Sequence, residues 1–192
     1  MVDTSYLELV RLGVKAPNDP NIVQSLDVVD STQTLDYQKV GLKVDTPNGA
    51  FWHRFNFDGY GETRTGGPWD IIYPACQLTT CLDTQATLGR AWPIFAGERG
   101  EYELEAGQSG AAGRLTSVAK SGNAGYMLPE QVWDENPPSG QPGFTRGEGT
   151  FSATPLAWTH AQFVRLAWSM ESGEPVEQPK IVACRYTGDC PN

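Results

Sequence analysis

Between residues 153 and 172 the chain carries Leu156, Trp158, Phe163, Val164, Leu166, Trp168 and Met170. A helix built from that stretch is apolar on several sides, so other helices must surround it. Ser152 precedes it in the position of an N-cap, and Gly173 and Pro175 close it. This segment predicts a core made by helix-on-helix packing.

The rest of the chain agrees with that expectation in most places. Residues 5–14 place Leu7, Val10 and Val14 on one helical stripe. Asp19-Pro20 is a cap followed by proline at the first helical position, and Ile22, Val23, Leu26 and Val29 continue at helical spacing. Two helices so close in sequence predict an antiparallel pair. The period then changes. Val40, Leu42 and Val44 alternate, Thr46-Pro47-Asn48-Gly49 is a turn, and Phe51, His53, Phe55 and Phe57 alternate again, which predicts a β-hairpin. Helical patterning returns from Trp92 to about Ala106, with Gly107 beyond it as a C-cap. A further helix with Ala112, Leu115, Val118 and Ala119 on its stripe ends near Asn123–Gly125. Residues 59–90 and 134–150 read as long loops, and the tail after 175 has no clear pattern. No internal repeat and no domain boundary is visible, so residues 1–192 read as one unit.

Net charge is −9, and no Lys/Arg cluster is present. That excludes nucleic acid and anionic membrane as partners, because phosphate binding needs grouped cations. No apolar run approaches the ~18 residues of a membrane span. The N-terminus, MVDTSYLELV, lacks the basic and apolar regions of a signal peptide. Either the protein stays inside the cell or the sequence begins partway into a longer one. Cys76 and Cys81 lie near each other, as do Cys184 and Cys190, which two local disulfides or four free thiols accommodate equally. Neither spacing is C-x-x-C, and His53 and His160 are the two histidines, so no metal site and no cofactor is expected. Serine-hydrolase, P-loop and dinucleotide fingerprints are absent.

Aromatic rings and carboxylates concentrate instead in two stretches, Trp52 to Glu62 and Met127 to Asp134. Flat rings suit the C–H face of a sugar, and glycoside hydrolysis needs carboxyl groups flanking the bond.

The segment Leu128-Pro129-Glu130-Gln131-Val132-Trp133-Asp134 resembles the one that carries the catalytic base in glycoside hydrolase family 15, the glucoamylase and glucodextranase family. The match is closest to the bacterial type. Four more segments agree in order: Leu7 to Val14, Arg54 to Glu62, Gly89-Arg90-Ala91-Trp92-Pro93 with Gly97 to Gly100, and Ser152 to Ala161. The likeness covers about residues 1–186. It implies an all-α chain with a small β-hairpin, forming the C-terminal portion of an (α/α)6 barrel.

It further implies an inverting hydrolase that releases glucose from the non-reducing ends of α-glucans of the starch and maltooligosaccharide type. Glu130 would be the general base and Ser152 would orient it by a hydrogen bond. Arg54 and Asp58 would bind substrate, Arg54 through glucose hydroxyls unless it pairs with Asp58, and Tyr60 and Trp158 would shape the pocket. Asp134 and Glu98 read as structural. The family's general acid and its Trp-Arg-Asp segment have no counterpart here, and residues 71–88 depart from the family pattern. The chain therefore reads as incomplete, completed by a missing N-terminal half or by self-association. The alternative is a non-catalytic truncated remnant that binds sugar or a protein partner. Relatives of this type are often secreted or periplasmic.

Overall fold

Asp19 accepts the Asn21 N–H at 2.9 Å and Pro20 takes the first helical position, so the second helix starts where its cap predicts. The computed structural model describes residues 2–35, 38–56, 58–61, 89–134 and 144–190. Phe57, Glu62, residues 70–88 with Cys76 and Cys81, and most of the 134–150 loop lie outside them. A 3₁₀ turn, Ser5–Leu7, runs into α1, Glu8–Arg11. Then follow α2, Pro20–Val29, and two antiparallel hairpins: β1, Thr34–Leu35, with β2, Gln38–Lys39, and β3, Lys43–Thr46, with β4, Gly49–Trp52. The last four helices are α3, Pro93–Glu105; α4, Ala111–Lys120; α5, Ala157–Ser172; and α6, Lys180–Thr187.

The expected hairpin is present, with Val44 opposite Phe51 and Lys43 opposite Trp52. It stops at Trp52 rather than Phe57. From there the backbone continues as single bridges: Trp52 to Trp92, Ala91 to Val132, and Val132 to Gly149. Four distant segments thus lie side by side as one extended ladder. Val44, Phe51, Trp52, Ala91 and Val132 are buried in it against Ala96 of α3, Val118 of α4 and Leu128. The Trp52 indole donates to Asp30 at 2.8 Å and lies under both Arg99 and Arg114, 4.9 and 5.1 Å from the ring centre.

α3, α4 and α5 pack on one another, and α3 approaches α5 closely. A Cβ at Gly97 or Gly100 would collide with Gln162 or Leu166 of α5. Gly107 and Gly173 take positive φ, 67° and 77°, and end α3 and α5 as their positions in the sequence predict.

Three expectations are corrected. α5 begins at Ala157, and Ser152 does not cap it; Leu156 stands at the cap with no side-chain bond. α5 is not buried on several sides. Its buried stripe is Thr159, Gln162, Leu166 and Ser169, whereas Trp158, Val164 and Trp168 are 64, 61 and 63% exposed. The polar stripe turns inward because it finds partners there. Thr159 donates to the Pro129 carbonyl at 2.8 Å, and Gln162 donates to the fully buried Glu101 at 3.1 Å. In α4 the buried face is Ala111, Ser117 and Val118, not Ala112 and Ala119. The patternless tail forms α6, and Cys184 and Cys190 are disulfide-bonded.

Candidate active site

The extended ladder brings residues 54–56, 58–60, 89–92, 130–134 and 149–152 to one place. Glu130 sits at its centre. The Glu130 peptide N–H donates to the Ala153 carbonyl at 2.9 Å, and the side chain is only 6% exposed. Its Oε2 has no hydrogen-bond partner among the described residues. Burial pushes the Glu130 carboxyl above the usual carboxylate range. The Arg54 charge and a hydrogen bond from the Gln131 side chain act against this, and Asp58 adds to it. A carboxylate so placed is a better base than a solvated one.

Arg54 is gripped by Asp58 through two bonds of 2.7 Å, Nε to Oδ2 and Nη2 to Oδ1. The Tyr60 N–H also donates to Asp58 Oδ1, at 3.0 Å. The guanidinium lies 4.8 Å from the Tyr60 ring centre and 4.9 Å from that of Trp92. The Tyr60 and Trp92 rings are themselves stacked at 6.2 Å. A cation is thus set against an aromatic wall beside a buried carboxylate, a combination that suits the hydroxyls and C–H face of a sugar ring.

A second ion pair fixes the floor. Arg90, wholly buried, donates to Asp134 at 2.6 Å and lies 5.2 Å from the Trp133 ring centre. His53 Nε2 is 3.4 Å from the other Asp134 oxygen, and His53 Nδ1 is 2.9 Å from the Gly89 carbonyl. Asp134 therefore has the structural part expected of it.

The structure brings Glu130, Arg54, Asp58 and Tyr60 together. It differs from the expectation at two positions. The Ser152 hydroxyl does not reach the Glu130 carboxylate; it accepts the Gln131 peptide N–H at 3.0 Å and the Thr150 hydroxyl at 2.9 Å. Its reach is taken by the neighbouring peptide, so any effect on Glu130 passes through residue 131. Trp158 stands exposed on the outer side of the first turn of α5, while its neighbour Thr159 is the residue that turns inward. The motifs contained Gln131, Arg90 and Trp92, but nothing in their spacing assigned them a place in the site. Among the described residues no group of His, Cys, Asp and Glu could hold a metal ion. No described helix is long and apolar enough to cross a membrane.

Residues 1–168 match the model of the family described as Glycosyl hydrolases family 15, and the chain belongs to that family. It is 41% identical over 186 residues to a glucoamylase of Clostridium sp. (strain G0005). That alignment takes in 97% of this chain and 22% of the relative. A crystal structure of bacterial glucoamylase complexed with acarbose superposes with a TM-score of 0.75 and 39% identity, over 96% of this chain and 22% of that one. The chain thus spans less than a quarter of the length of either protein. Its helices and hairpin are part of an (α/α)6 barrel.

Proposed function

We propose that this chain carries the base-bearing part of an inverting, exo-acting glycoside hydrolase that releases glucose from the non-reducing ends of α-glucans. The observation that supports it most is the buried, half-unpaired Glu130 carboxylate beside an Arg54 held in place by Asp58. In this reading Glu130 takes a proton from water as the water oxygen bonds to the anomeric carbon. The glycosidic C–O bond breaks, and a general acid protonates the departing oxygen. The second carboxylate in this site, Asp58, is committed to Arg54. We therefore place the acid in a further part of the barrel, supplied by a missing half. The 22% span of both relatives supports that assignment. The Cys184–Cys190 disulfide supports a secreted or periplasmic setting.

The test is glucose release from maltooligosaccharide by the 192-residue chain, alone and with the remainder of the barrel added, followed by NMR of the anomer first formed. Release of β-glucose, lost in Glu130→Gln, is expected. Release of α-glucose would overturn inversion. An absence of both release and acarbose binding under either condition would favour the non-catalytic remnant.

A further inference from the structure

Leu128, Pro129 and Glu130 are each fastened to the first turn of α5 or to the stretch leading into it. The Glu130 N–H donates to the Ala153 carbonyl at 2.9 Å, and the Pro129 carbonyl accepts the Thr159 hydroxyl at 2.8 Å. Leu128 is held on both sides of its backbone. Its carbonyl accepts the Leu156 N–H at 2.9 Å, and its N–H donates to Nε2 of His160 at 3.0 Å. The His160 N–H in turn donates to the Leu156 carbonyl at 3.2 Å, which closes the circuit between residues 128, 156 and 160. The other partners are peptide groups and a hydroxyl. The imidazole alone among them changes its charge near neutral pH.

A peptide N–H can only donate, so Nε2 of His160 must offer a lone pair. That fixes the state of the ring as neutral, with its proton on Nδ1. A protonated imidazole carries N–H at both positions and would set donor against donor. Leu128 is 6% exposed, so an N–H released there finds little water to take the place of the ring.

We propose that His160 is a positioning residue of the base, fastening the segment that carries Glu130 through the lone pair of Nε2. This rests on Glu130 being the base. The clip holds while the imidazole is neutral and opens when a proton occupies Nε2. The elements packed against α5 are α3, α4 and the base-bearing segment, and their charged groups are engaged elsewhere. On α3, Glu101 pairs with Arg165, and Glu98 lies among Glu8, Glu101, Arg165 and Arg11. On α4, Arg114 pairs with Glu103, and Lys120 is exposed in the last turn. On the base-bearing segment, Glu130 faces Arg54, Asp58 and Gln131. Among the described residues none of these forms an ion pair with His160, so what its protonation changes is the hydrogen bond to Leu128.

The test is a histidine side-chain ¹H–¹⁵N NMR titration of the 192-residue chain, in wild type, His160→Gln and His160→Phe. The Leu128 amide and the Glu130 carboxyl carbon are followed in the same samples. At neutral pH His160 is expected as the Nδ1–H tautomer. As pH falls through its midpoint, the Leu128 amide is expected to shift. Its exchange, corrected for the intrinsic pH dependence, is expected to quicken about tenfold, as one hydrogen bond is lost. The Glu130 carbon is expected to show a second inflection at the same midpoint. His160→Gln places an amide oxygen where Nε2 stood and does not titrate, so Leu128 is expected to stay protected and the second inflection to vanish. His160→Phe is expected to leave the Leu128 amide unprotected at every pH. A wild-type ring protonated on Nε2 at neutral pH, or a Glu130 carbon blind to the His160 midpoint, would overturn the proposal. So would a second inflection that persists in His160→Gln. Should His160→Phe fail to fold, wild type and His160→Gln carry the same decision. None of these readouts needs turnover. A chain that neither hydrolyses nor binds sugar counts against the proposed function and leaves this measurement intact.

Discussion

Arg54 and Asp58 face each other fork to fork, with both hydrogen bonds at 2.7 Å. Asp58 is buried and also holds the Tyr60 N–H, so the pair ties Arg54 to residues 58 and 60. In the proposed reading Asp58 acts on a sugar through Arg54, and the guanidinium edge turned away from Asp58 meets the hydroxyls. Truncating either residue should weaken sugar binding, though by different routes.

Arg54→Ala removes the donor itself. A charged hydrogen bond contributes ~1.5–3 kcal/mol, which corresponds to about 10–100-fold in affinity. Calorimetry with acarbose is expected to show a loss in that range. Asp58→Asn keeps the donor and loosens its aim, so its loss is expected to be smaller. Equal affinity for Arg54→Ala and wild type would remove Arg54 from the binding site.

Glu130→Gln preserves the shape of the side chain and removes its basicity. A lost general base lowers turnover by about 10²–10⁴-fold. Glucose release from maltooligosaccharide is expected to fall by that factor while the melting temperature holds or rises, because a buried group that disfavours ionisation is replaced by a neutral one. Unchanged turnover would rule Glu130 out as the base.

The pH profile carries a sign that can be checked. The base works ionised, so kcat/KM falls as pH drops through the Glu130 pKa. Burial has raised that pKa, and Asp58 contributes to the rise. Removing the Asp58 charge in Asp58→Asn is expected to move the acidic limb to lower pH. A limb that stays in place, or moves up, would show that Asp58 does not act on Glu130.

How much of this was legible beforehand depended on the range over which each feature is determined. Asp19-Pro20, Gly107 and Gly173 act within one turn, and all three ends were readable. The alternation of Leu42 and Val44 is likewise local and located the hairpin. Glu130, Arg54 and Tyr60 were reachable through motifs. Gln131 lay in a motif, but its place did not show there, because the partners of its side chain, the Arg90 N–H and the Tyr60 carbonyl, are 41 and 71 positions away. The orientation of α5 failed for a related reason. Which of its faces is buried depends on Glu101, 61 positions from Gln162, and no property of the helix itself reveals that partner. α6 escaped because its one buried residue, Ala183, makes no stripe.

Stability should also depend on pH through Glu98. Burial pushes its carboxyl up to about 8. Glu8 and Glu101 act in the same direction, while Arg165 and Arg11 act against it. A folded-state pKa above the unfolded value of 4.5 means that the neutral acid favours the fold. The contribution is complete below the unfolded value and is lost as pH rises through about 8. Thermal melts of wild type are expected to decline between pH 5 and pH 9. Glu98→Gln should flatten that decline and melt above wild type at pH 9. Parallel curves for the two proteins would show that Glu98 ionises freely in the fold.

The exposed side of α5 sets the last expectation. Trp158, Ala161, Val164 and Trp168 recur at helical spacing on one side, and none of these rings stacks on another among the described residues. Apolar surface of this extent drives association when nothing covers it. In the proposed reading the missing part of the barrel covers it. The isolated chain is therefore expected to elute larger than its 21.0 kDa mass in gel filtration, increasingly so at higher concentration. Trp158→Lys with Trp168→Lys should return it to the monomer position with its circular dichroism unchanged, since neither ring is part of the buried stripe. The same double substitution should block complementation by the remainder of the barrel. Complementation that survives it would mean that this face of α5 is free in the assembled protein and that the contact lies elsewhere.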